Sequence, residues 1–529
     1  MKFDALSREV KVIREPIKSV RSYEEEPVLK IGGSRRAAAK VAGWKESDAT
    51  RYLCAEAHRS AKFREWVLKK FAREKHLALA PSYGLDTATV LRHCLEARRR
   101  VNVRNAFLTI PFFVLLLVLL VGLGNLELLP IAIILGPLAA WAGAWLIVAW
   151  ERYEAEKLVR HNLLKGSYNP DCVPPAKHLE MQQVMKDLDE AQSANVVIYN
   201  GFAPFVGNGG SLGGWSFAVD VNKGKEDLGQ MVAPLSFEVK ELYDEIAQTA
   251  KSLGFDGLKI ENLLCVNGQD IRSDTRFLPD PLGRPCTRVT PEVVSEFVES
   301  DDLVVRHYQR IQVVDWSGEL ALNVMLRFVN TGHHLFIEVN YNVLTPVYER
   351  YHGVDSLNPE LSFEDWMQLG VTSFFLTPFF LAALPFLPLV FVSRKYDEWR
   401  EERKLRKTVR NNRSFNYGAV TSLREDTASG FYRRYFQKLD SELYKKVLER
   451  QIFDTIIKFL DARNIETTDL KERQTTVLNS GVIVSGSGTI QAETFAVGSH
   501  STAKSEKSER PSRLSFVKNL GTRSVGAGH

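Results

Sequence analysis

The sequence predicts an α+β membrane protein. A transmembrane helical hairpin and a bent apolar membrane segment accompany a cytosolic α+β domain with a mainly antiparallel sheet, C-terminal helices and a short Gly-rich β tail. Two observations support this prediction. Glu127 is the only charged residue between Ala106 and Trp150, and short turns separate alternating strand patterns after Asp302.

The composition narrows the class of protein. A chain of 529 residues is several times longer than a usual domain, so we expect several folding units. The 5 cysteines show no close pairing pattern, which favours a reducing, cytosolic environment over a disulfide framework. The formal net charge of +5 is small for this length, and we expect no nucleic-acid partner. The first residues contain no apolar core, so no secretory signal is expected there.

Shifts in composition divide the chain into eight predicted segments. They are an irregular N-terminal tail (1–46), a small helical cytosolic domain (47–105), a transmembrane helical hairpin (106–150), an α+β soluble domain (151–368), a re-entrant, interfacial or third transmembrane segment (369–393), a basic and amphipathic helical region (394–470), a Gly-rich β tail (471–498) and a disordered tail (499–529).

The hairpin follows from length and charge. One crossing of the hydrocarbon takes roughly 20 apolar residues, so residues 106–150 fit two crossings. The turn is expected near Glu127, because a charge is far less costly at an interface than at the bilayer centre. Basic residues flank both ends of the hairpin, which places both flanking domains in the cytosol. We therefore expect a multi-pass protein of the cell (inner) membrane, with a buried core hairpin as the alternative.

A third apolar segment, residues 370–393, is uncharged and long enough for one crossing. Pro378, Pro385 and Pro388 would bend a helix there. A single crossing would also move residues 151–369 away from the side that the hairpin flanks indicate. We therefore prefer a re-entrant or interfacial segment that dips into the cytosolic leaflet and returns. A true third span and a buried core helix remain the alternatives.

The basic run after this segment is expected to lie on anionic lipid headgroups, which makes the lipid bilayer a partner. The candidate membrane-surface residues are Arg394, Lys395, Arg403, Lys404, Arg406 and Lys407. Acidic residues such as Glu398 and Glu402 are interspersed with them, so a solvated helix face is the alternative interpretation.

The soluble segments alternate strand and helix patterns. NVVIYNG and WSFAVDV predict strands on either side of a Gly-rich loop, and LSFEVKELYDEIAQTAKSLG predicts an amphipathic helix. Three alternating strands after residue 302 are joined by short turns, which favours antiparallel pairing. Another amphipathic helix lies within residues 414–470, and its apolar stripe fits either a core face or an oligomer contact.

The Gly-rich tail combines small residues, closely spaced glycines and β-formers, as a β-arc needs in order to stack on copies of itself. Self-association, and hence a homo-oligomer, is predicted for Val482, Val484, Ile490, Phe495 and Val497. The alternative is a hairpin that joins a sheet within the same chain.

Several stretches resemble a known group of proteins. They are RYLCAEAH at 51–58, NGFAPFVGNGG and WSFAVD within 200–220, RFLPDPLGRP at 276–285 and LKERQTTVLNSGVIVSGSGTIQAETFAVG at 470–498. Together they resemble an uncharacterised family of large actinobacterial membrane proteins, which implies a shared architecture and no activity. The last stretch is also similar in style to bacterial amyloid-signalling motifs, in which Gly-punctuated β-arcs let a receptor and an effector co-assemble.

Residues with candidate chemistry are few. The Gly-rich loop after the first strand can cradle an anion with its backbone amides, so Gly207, Gly209, Gly210 and Gly213 are ligand-binding candidates. The loop lacks the Lys-Ser/Thr pair of a P-loop and precedes a strand, which favours a flexible hairpin loop instead. Cys54 lies one helical turn before a histidine without a second pair at zinc spacing, so we expect no metal and no cofactor.

These features predict a membrane-anchored, non-enzymatic assembly or signalling protein with a cytosolic binding domain and a self-associating tail. A membrane-acting effector is a specific form of this hypothesis. A channel or transport component and a membrane-associated enzyme with a pocket near residues 200–220 are the alternatives. No catalytic constellation stands out in the sequence, so enzymatic activity is the less favoured interpretation.

Overall fold

The structure is a computed structural model that describes residues 44–479, except 74–75, 125–126, 128, 228–229 and 301. Residues 1–43 and 480–529 lie outside the described part. The predictions of a disordered end and of self-association through Val482, Val484, Ile490, Phe495 and Val497 fall on those residues and stay predictions.

Helices of the N-terminal region share one core with the base of the hairpin. These helices are α1 (Asp48–Arg59), α2 (Ala61–Arg73), α3 (Thr87–Gly124), α4 (Leu129–Asn162) and α5 (Leu179–Gln192). Ser47 begins α1, because its hydroxyl accepts a hydrogen bond from the backbone N–H of Thr50 at 3.1 Å. Leu53 of α1, Leu91 of α3 and Val159 of α4 are fully buried in the same cluster. The hairpin is therefore continuous with a packed soluble unit.

The long helices α3 and α4 pack side by side as a hairpin. Their chain directions oppose, since Gly122 near the end of α3 meets Ala132 near the start of α4. Neither helix stops at the boundaries near 105 and 150 that composition suggests. The reason for the early start of α3 is local sequence, because the stretch from Thr87 to Ile110 contains no glycine or proline and is rich in Arg, Ala and Leu.

A six-stranded sheet forms the centre of the larger soluble part. Its strands are β1 (Val196–Tyr199), β2 (Gly210–Asp220), β5 (Leu258–Asn267), β6 (Val305–Asp315), β7 (Leu320–Asn330) and β8 (His334–Leu344), and a separate pair is formed by β3 (Glu226–Asp227) and β4 (Gln230–Met231). The order is β1-β5-β6-β7-β8-β2. The pair β1 and β5 is parallel, whereas the other pairs of this sheet are antiparallel. The α+β class is confirmed, and the sheet is mixed.

One face of the sheet is covered by helices. The remaining helices of the chain are α6 (Val239–Ser252), α7 (Pro291–Glu296), α8 (Phe363–Ala383), α9 (Leu387–Asn411), α10 (Leu423–Asp426), α11 (Tyr435–Asp461) and α12 (Thr468–Asn479), with short 3-10 helices at Trp44–Glu46, Ile271–Ser273, Trp316–Gly318, Glu349–Ser356 and Leu384–Phe386. Alternate residues of the strands, such as Leu322 and Val324, pack with α6 and α11 in one buried cluster. This alternation is the period-two pattern of a strand with one apolar face.

The amphipathic helix α11 contributes its stripe to this core. Ile452, Ile456 and Leu460 are buried against the sheet, so the stripe is a core face over this part of the helix. Leu443, near the start of α11, stays exposed. Helix α12 then runs to Asn479, so the first residues of the segment predicted as a β tail are helical.

Candidate functional site

Helices α3 and α4 expose an apolar surface along the segment that the sequence predicts to cross a membrane. Leu117, Leu123 and Ile134 are more than half exposed. Glu127, at the break between the two helices, is the only charged residue of this segment. Three helices, α3, α4 and α8 extended to Phe386, are long and apolar enough to cross a membrane. Exposed apolar area of this extent fits membrane association rather than a water-facing surface.

The base of the hairpin is joined by polar contacts to the soluble unit. Arg104 of α3 lies 3.5 Å from Glu151 of α4, and both side chains are largely buried. One turn earlier, the Arg100 guanidinium donates to the backbone carbonyl of Glu154 and to the ring of His58 on α1. Burial and the nearby Arg100 charge hold the pKa of His58 well below its usual range, so this imidazole is neutral at pH 7.

Helix α8 begins at the soluble end of α4. The Ser362 hydroxyl accepts a hydrogen bond from the backbone N–H of Asp365, and the Asp365 carboxylate accepts one from the backbone N–H of Ser362. The buried Arg160 of α4 pairs with the same carboxylate at 3.2 Å. These contacts fix the start of α8 against the part of α4 that belongs to the soluble unit.

Helix α8 packs along α4 over its first turns. Trp366 stacks on Tyr153 with ring centroids 5.1 Å apart, whereas Leu384 lies in a buried cluster with Ala144 and Val148. Between these two points, the Trp145 indole N–H donates to the backbone carbonyl of Gly370 at 3.0 Å, and the rings of Phe374 and Trp141 lie 4.0 Å apart. Helix α8 therefore runs beside α4 from Tyr153 as far as Trp141.

The far end of α8 reaches the other helix of the hairpin near its base. The Phe380 ring lies 4.3 Å from the Arg104 guanidinium, and Leu108 belongs to the same buried cluster as Leu384. Leu108 is only four residues from Arg104, which is about 6 Å along the helix axis. The contacts of α8 thus lie in the half of the hairpin that is next to the soluble unit.

Helix α9 returns from this point to the soluble unit. Its N-terminal turns expose Leu389, Val390 and Val392, and its C-terminal Val409 is fully buried in the cluster that includes β1 and β5. The guanidinium of Arg272 donates to the backbone carbonyl of Val409 at 2.7 Å. Both ends of the segment formed by α8 and α9, which we call the arm, are therefore attached to the same soluble unit.

The basic residues predicted to contact a membrane surface all lie on α9. The side chains of Lys395, Arg403, Lys404, Arg406 and Lys407 are exposed, and the side chain of Arg394 lies outside the description. Two of them form pairs along the helix, because Lys395 lies 3.2 Å from Glu398 and Arg406 lies 2.9 Å from Glu402. Pairs of this kind occur on solvated helix faces, so membrane contact by these residues stays a prediction.

The backbone amides of the Gly-rich loop hold a carboxyl group that belongs to the chain itself. The backbone N–H groups of Gly207 and Gly209 donate to the same Glu425 oxygen at 2.8 and 2.9 Å. Both glycines have positive φ, and both lie where a Cβ atom would collide with neighbouring backbone. Gly210 and Gly213 lie apart from this contact in β2. Binding of a separate ligand by the four glycines stays a prediction.

Strand β2 forms an open edge of the sheet. Its strand partner within the described residues is β8, which leaves the opposite side of β2 without a backbone ladder there. Residues 214–219 contain neither a charged residue nor a proline, and the register irregularity of the strand precedes them. One face of this stretch exposes Gly214, Ser216 and Ala218. Natural edge strands usually carry charges, prolines or bulges that prevent pairing, and this part of β2 has none.

The other face of β2 is held firmly in the core. Trp215 stacks on Phe453 of α11 with ring centroids 4.3 Å apart, and its indole N–H donates to the Tyr341 hydroxyl at 3.1 Å. Phe217 is buried in the same cluster. The strand is thus held in place by its inner face, while no strand among the described residues within 44–479 pairs with its outer edge, which is the arrangement needed for pairing with another strand.

One family model matches the part of the chain that contains most of the sheet, the arm and the C-terminal helices. A family model described as an AbeC-like domain matches residues 214–491, just over half of the chain. The match begins in β2 and includes the arm, whereas the hairpin precedes it. No curated protein and no solved structure matches the chain.

The family description names no activity and does not bear on the actinobacterial or amyloid-signalling resemblances, which stay predictions. It does agree with the expectation of an uncharacterised domain family. The match covers strands β5 to β8 and the helices from α6 to α12, so it includes nearly the whole larger soluble part. The chain therefore belongs to the family of proteins with an AbeC-like domain.

Proposed function

We propose that this protein is a membrane-anchored, non-enzymatic assembly protein that pairs with a second copy of itself through the open edge of β2. The open, uncharged edge is the observation that supports this function most directly. Self-association through the Gly-rich tail is part of the same proposal and would add to the pairing at β2.

In this proposal the α3–α4 hairpin crosses the membrane twice, and the arm enters and leaves the leaflet next to the soluble domain. This topology is supported by the contacts of α8, which lie in the half of the hairpin next to the soluble unit, and by the attachment of both arm ends to that unit. The soluble domain then lies entirely on one side, which is the cytoplasmic side of the cell membrane by the charge of the hairpin flanks. The exposed basic residues of α9 are positioned to contact anionic headgroups.

An edge-to-edge pair of two β2 strands suits a protein held in this way. Two copies related by a two-fold axis present the same edge to each other in antiparallel orientation, so one surface is self-complementary. Residues 214–219 bring no charge into such a contact, so no like-charge repulsion opposes it. Confinement to a membrane also raises the effective concentration of the two edges.

The proposal is tested by adding charge to the edge. In Ser216→Lys/Ala218→Lys both new side chains lie on the exposed face, and Ser216 is opposite Glu338 of β8, so the first lysine gains a partner within the sheet. We expect the full-length protein in lipid nanodiscs to be a dimer or larger, and the double variant to shift to the monomer in native mass spectrometry.

The matched control is Gln269→Lys, which adds the same charge at an exposed turn after β5. This variant should keep the oligomeric state of the wild type. A wild-type protein that is monomeric at micromolar concentration in nanodiscs would overturn the proposal, as would a double variant that folds normally and keeps the wild-type oligomer. A smaller oligomer after deletion of residues 480–498 alone would locate part of the contact in the tail.

A further inference from the structure

A cleft in the soluble domain, which β2 does not line, indicates a binding site for a small molecule. This cleft of about 210 Å³ opens between the start of α6, the strands β5 and β6, and the helix α7. His307 of β6 lies at its floor and is only 3% exposed. On this face of β6, Ile311 and Val313 belong to the apolar core, whereas the position nearer the start of the strand is occupied by the ionisable His307.

The hydrogen-bonding state of His307 is defined by its neighbours. One ring nitrogen, Nε2, lies 3.2 Å from the Oδ1 atom of Asn262. An amide oxygen can only accept, so Nε2 carries the single N–H of the neutral ring and donates it to Asn262. Burial, helped by the positive charge of Arg327, lowers the pKa of His307 to about 4, so the ring is neutral at pH 7. The other nitrogen, Nδ1, is then an acceptor, and it is buried without a hydrogen-bond partner among the described residues.

A buried acceptor of this kind selects for a ligand that carries a hydrogen-bond donor. A buried acceptor without a donor is unfavourable compared with the hydrated state, and a ligand that brings an N–H or O–H group would remove that cost. The edge of the Tyr243 ring packs against the imidazole at 4.9 Å between centroids, which fixes the orientation of the ring. The acceptor is thus held in place at the floor of the cleft.

Two charged residues of α6 also line the cleft. Lys240 and Asp244 lie one helical turn apart, and neither forms an ion pair with another residue in the part of the chain that the structure describes. The lining on the side of α7 includes Val294 and Val298, together with Ser295. The cleft therefore offers one cation, one carboxylate and one buried acceptor beside two valines.

We infer that this cleft binds a small zwitterion of the amino-acid type whose side chain carries a hydrogen-bond donor. The ligand carboxylate meets Lys240, its ammonium group meets Asp244, and the side-chain donor reaches Nδ1 of His307. Amides and hydroxyls supply such a donor, whereas a carboxylate supplies only acceptors. Glutamine and asparagine should therefore bind in preference to glutamate and aspartate.

The test uses the full-length protein in nanodiscs and isothermal titration with L-glutamine, L-asparagine and L-glutamate at millimolar concentration. The two amides should bind, and glutamate should bind at least about tenfold more weakly, because it leaves Nδ1 without a donor. Lys240→Ala and Asp244→Asn change exposed side chains and should each weaken glutamine binding by about tenfold or more. Lys251→Ala, an exposed change on the same helix outside the cleft, should leave it unaltered.

His307→Phe supplies the decisive variant, since it keeps an aromatic ring beside Tyr243 and removes the acceptor. This variant should lose the preference for glutamine over glutamate. The inference fails if neither amide binds, if glutamate binds as tightly as glutamine, or if both charge variants bind glutamine like the wild type. The cleft does not involve β2 or the hairpin, so its failure leaves the assembly proposal standing, and the converse also holds.

Discussion

Replacing Glu425 with alanine should destabilise the Gly-rich loop and the segment that packs on it. One carboxylate oxygen accepts from the backbone N–H groups of Gly207 and Gly209, and the other accepts from the N–H of Ser422 at 3.0 Å. Burial raises the pKa of Glu425, and the three N–H donors act in the opposite direction. Glu425→Ala removes the acceptor and leaves all three donors without their partner.

The expected loss is about 3 kcal/mol, at about 1 kcal/mol for each backbone donor whose hydrogen bond is lost. The value lies near the low end of the usual range because the loop is next to exposed residues and water can reach part of it. Two measurements check it on the full-length protein in nanodiscs. Denaturant unfolding gives the global change, and hydrogen–deuterium exchange gives the protection of the amides at Gly207 and Gly209.

The control is Glu472→Ala, which removes an exposed glutamate of α12 and should change neither measurement by more than about 0.5 kcal/mol. Unchanged amide protection at Gly207 and Gly209 in Glu425→Ala would refute the argument that the loop is built around this carboxylate. Such a result would also leave the backbone amides of the loop as candidates for binding a separate anion.

Three further predictions follow from the membrane arrangement and from the cleft. A membrane-impermeant thiol reagent should label Glu127→Cys from the side of the membrane opposite to the one that labels Gln269→Cys, and labelling of both from one side would contradict a hairpin that crosses twice. The pKa of His307 is about 4 in the folded protein and about 6.5 in the unfolded chain, so between these values the unfolded state binds a proton that the folded state does not. The free energy of unfolding is therefore constant above pH 6.5 and falls as the pH approaches 4, with a loss of about 2 kcal/mol by pH 5. Denaturant unfolding of wild type and His307→Gln at pH 7.5 and 5 measures it, and an equal pH dependence of the two would contradict the assignment. Finally, Lys404→Glu/Lys407→Glu should weaken the protection of α9 that anionic lipid in the nanodisc provides, as measured by hydrogen exchange, whereas in neutral lipid the variant and wild type should agree.

The sequence predicts the parts of the fold that depend on local patterns. The apolar length of 106–150 and its single charge at Glu127 indicate two adjacent helices, and α3 and α4 break at that point. Period-two alternation after residue 302 indicates the antiparallel strands β6, β7 and β8. In both cases the information lies within about twenty neighbouring residues.

Features that depend on contacts between residues far apart in the chain could not be predicted from local sequence patterns. The parallel pairing of β1 with β5 joins residues near 197 and 265, and no local pattern specifies it. The position of α8 results from its contacts with Tyr153 and Trp141 and with the cluster around Ala144, which only the folded chain brings together. Of the three prolines expected to bend this segment, Pro378 lies inside α8, Pro385 lies in the short 3-10 turn Leu384–Phe386, and Pro388 lies in the first turn of α9.

The candidate site was predictable only in part for the same reason. The glycines of the loop indicate a cradle for an anion, but the partner Glu425 lies over two hundred residues later in the chain. His307 falls in an alternating strand, where a histidine gives no indication of an unpaired nitrogen. In the folded chain Asn262 and the start of α6 lie next to His307 and define the cleft. The spacing of these residues in the sequence does not predict that they meet.

The pairing of two copies at β2 is tested most directly by cross-linking in the membrane. Single variants Ser216→Cys and Ala218→Cys place a thiol on the exposed face of the edge strand, where opposite residues of an antiparallel pair lie about 5 Å apart. A short bis-maleimide should join two full-length chains in at least one variant and not in wild type, whose own cysteines are buried or half-buried. Monomers alone in both variants, under conditions in which both thiols react, would contradict assembly through this edge.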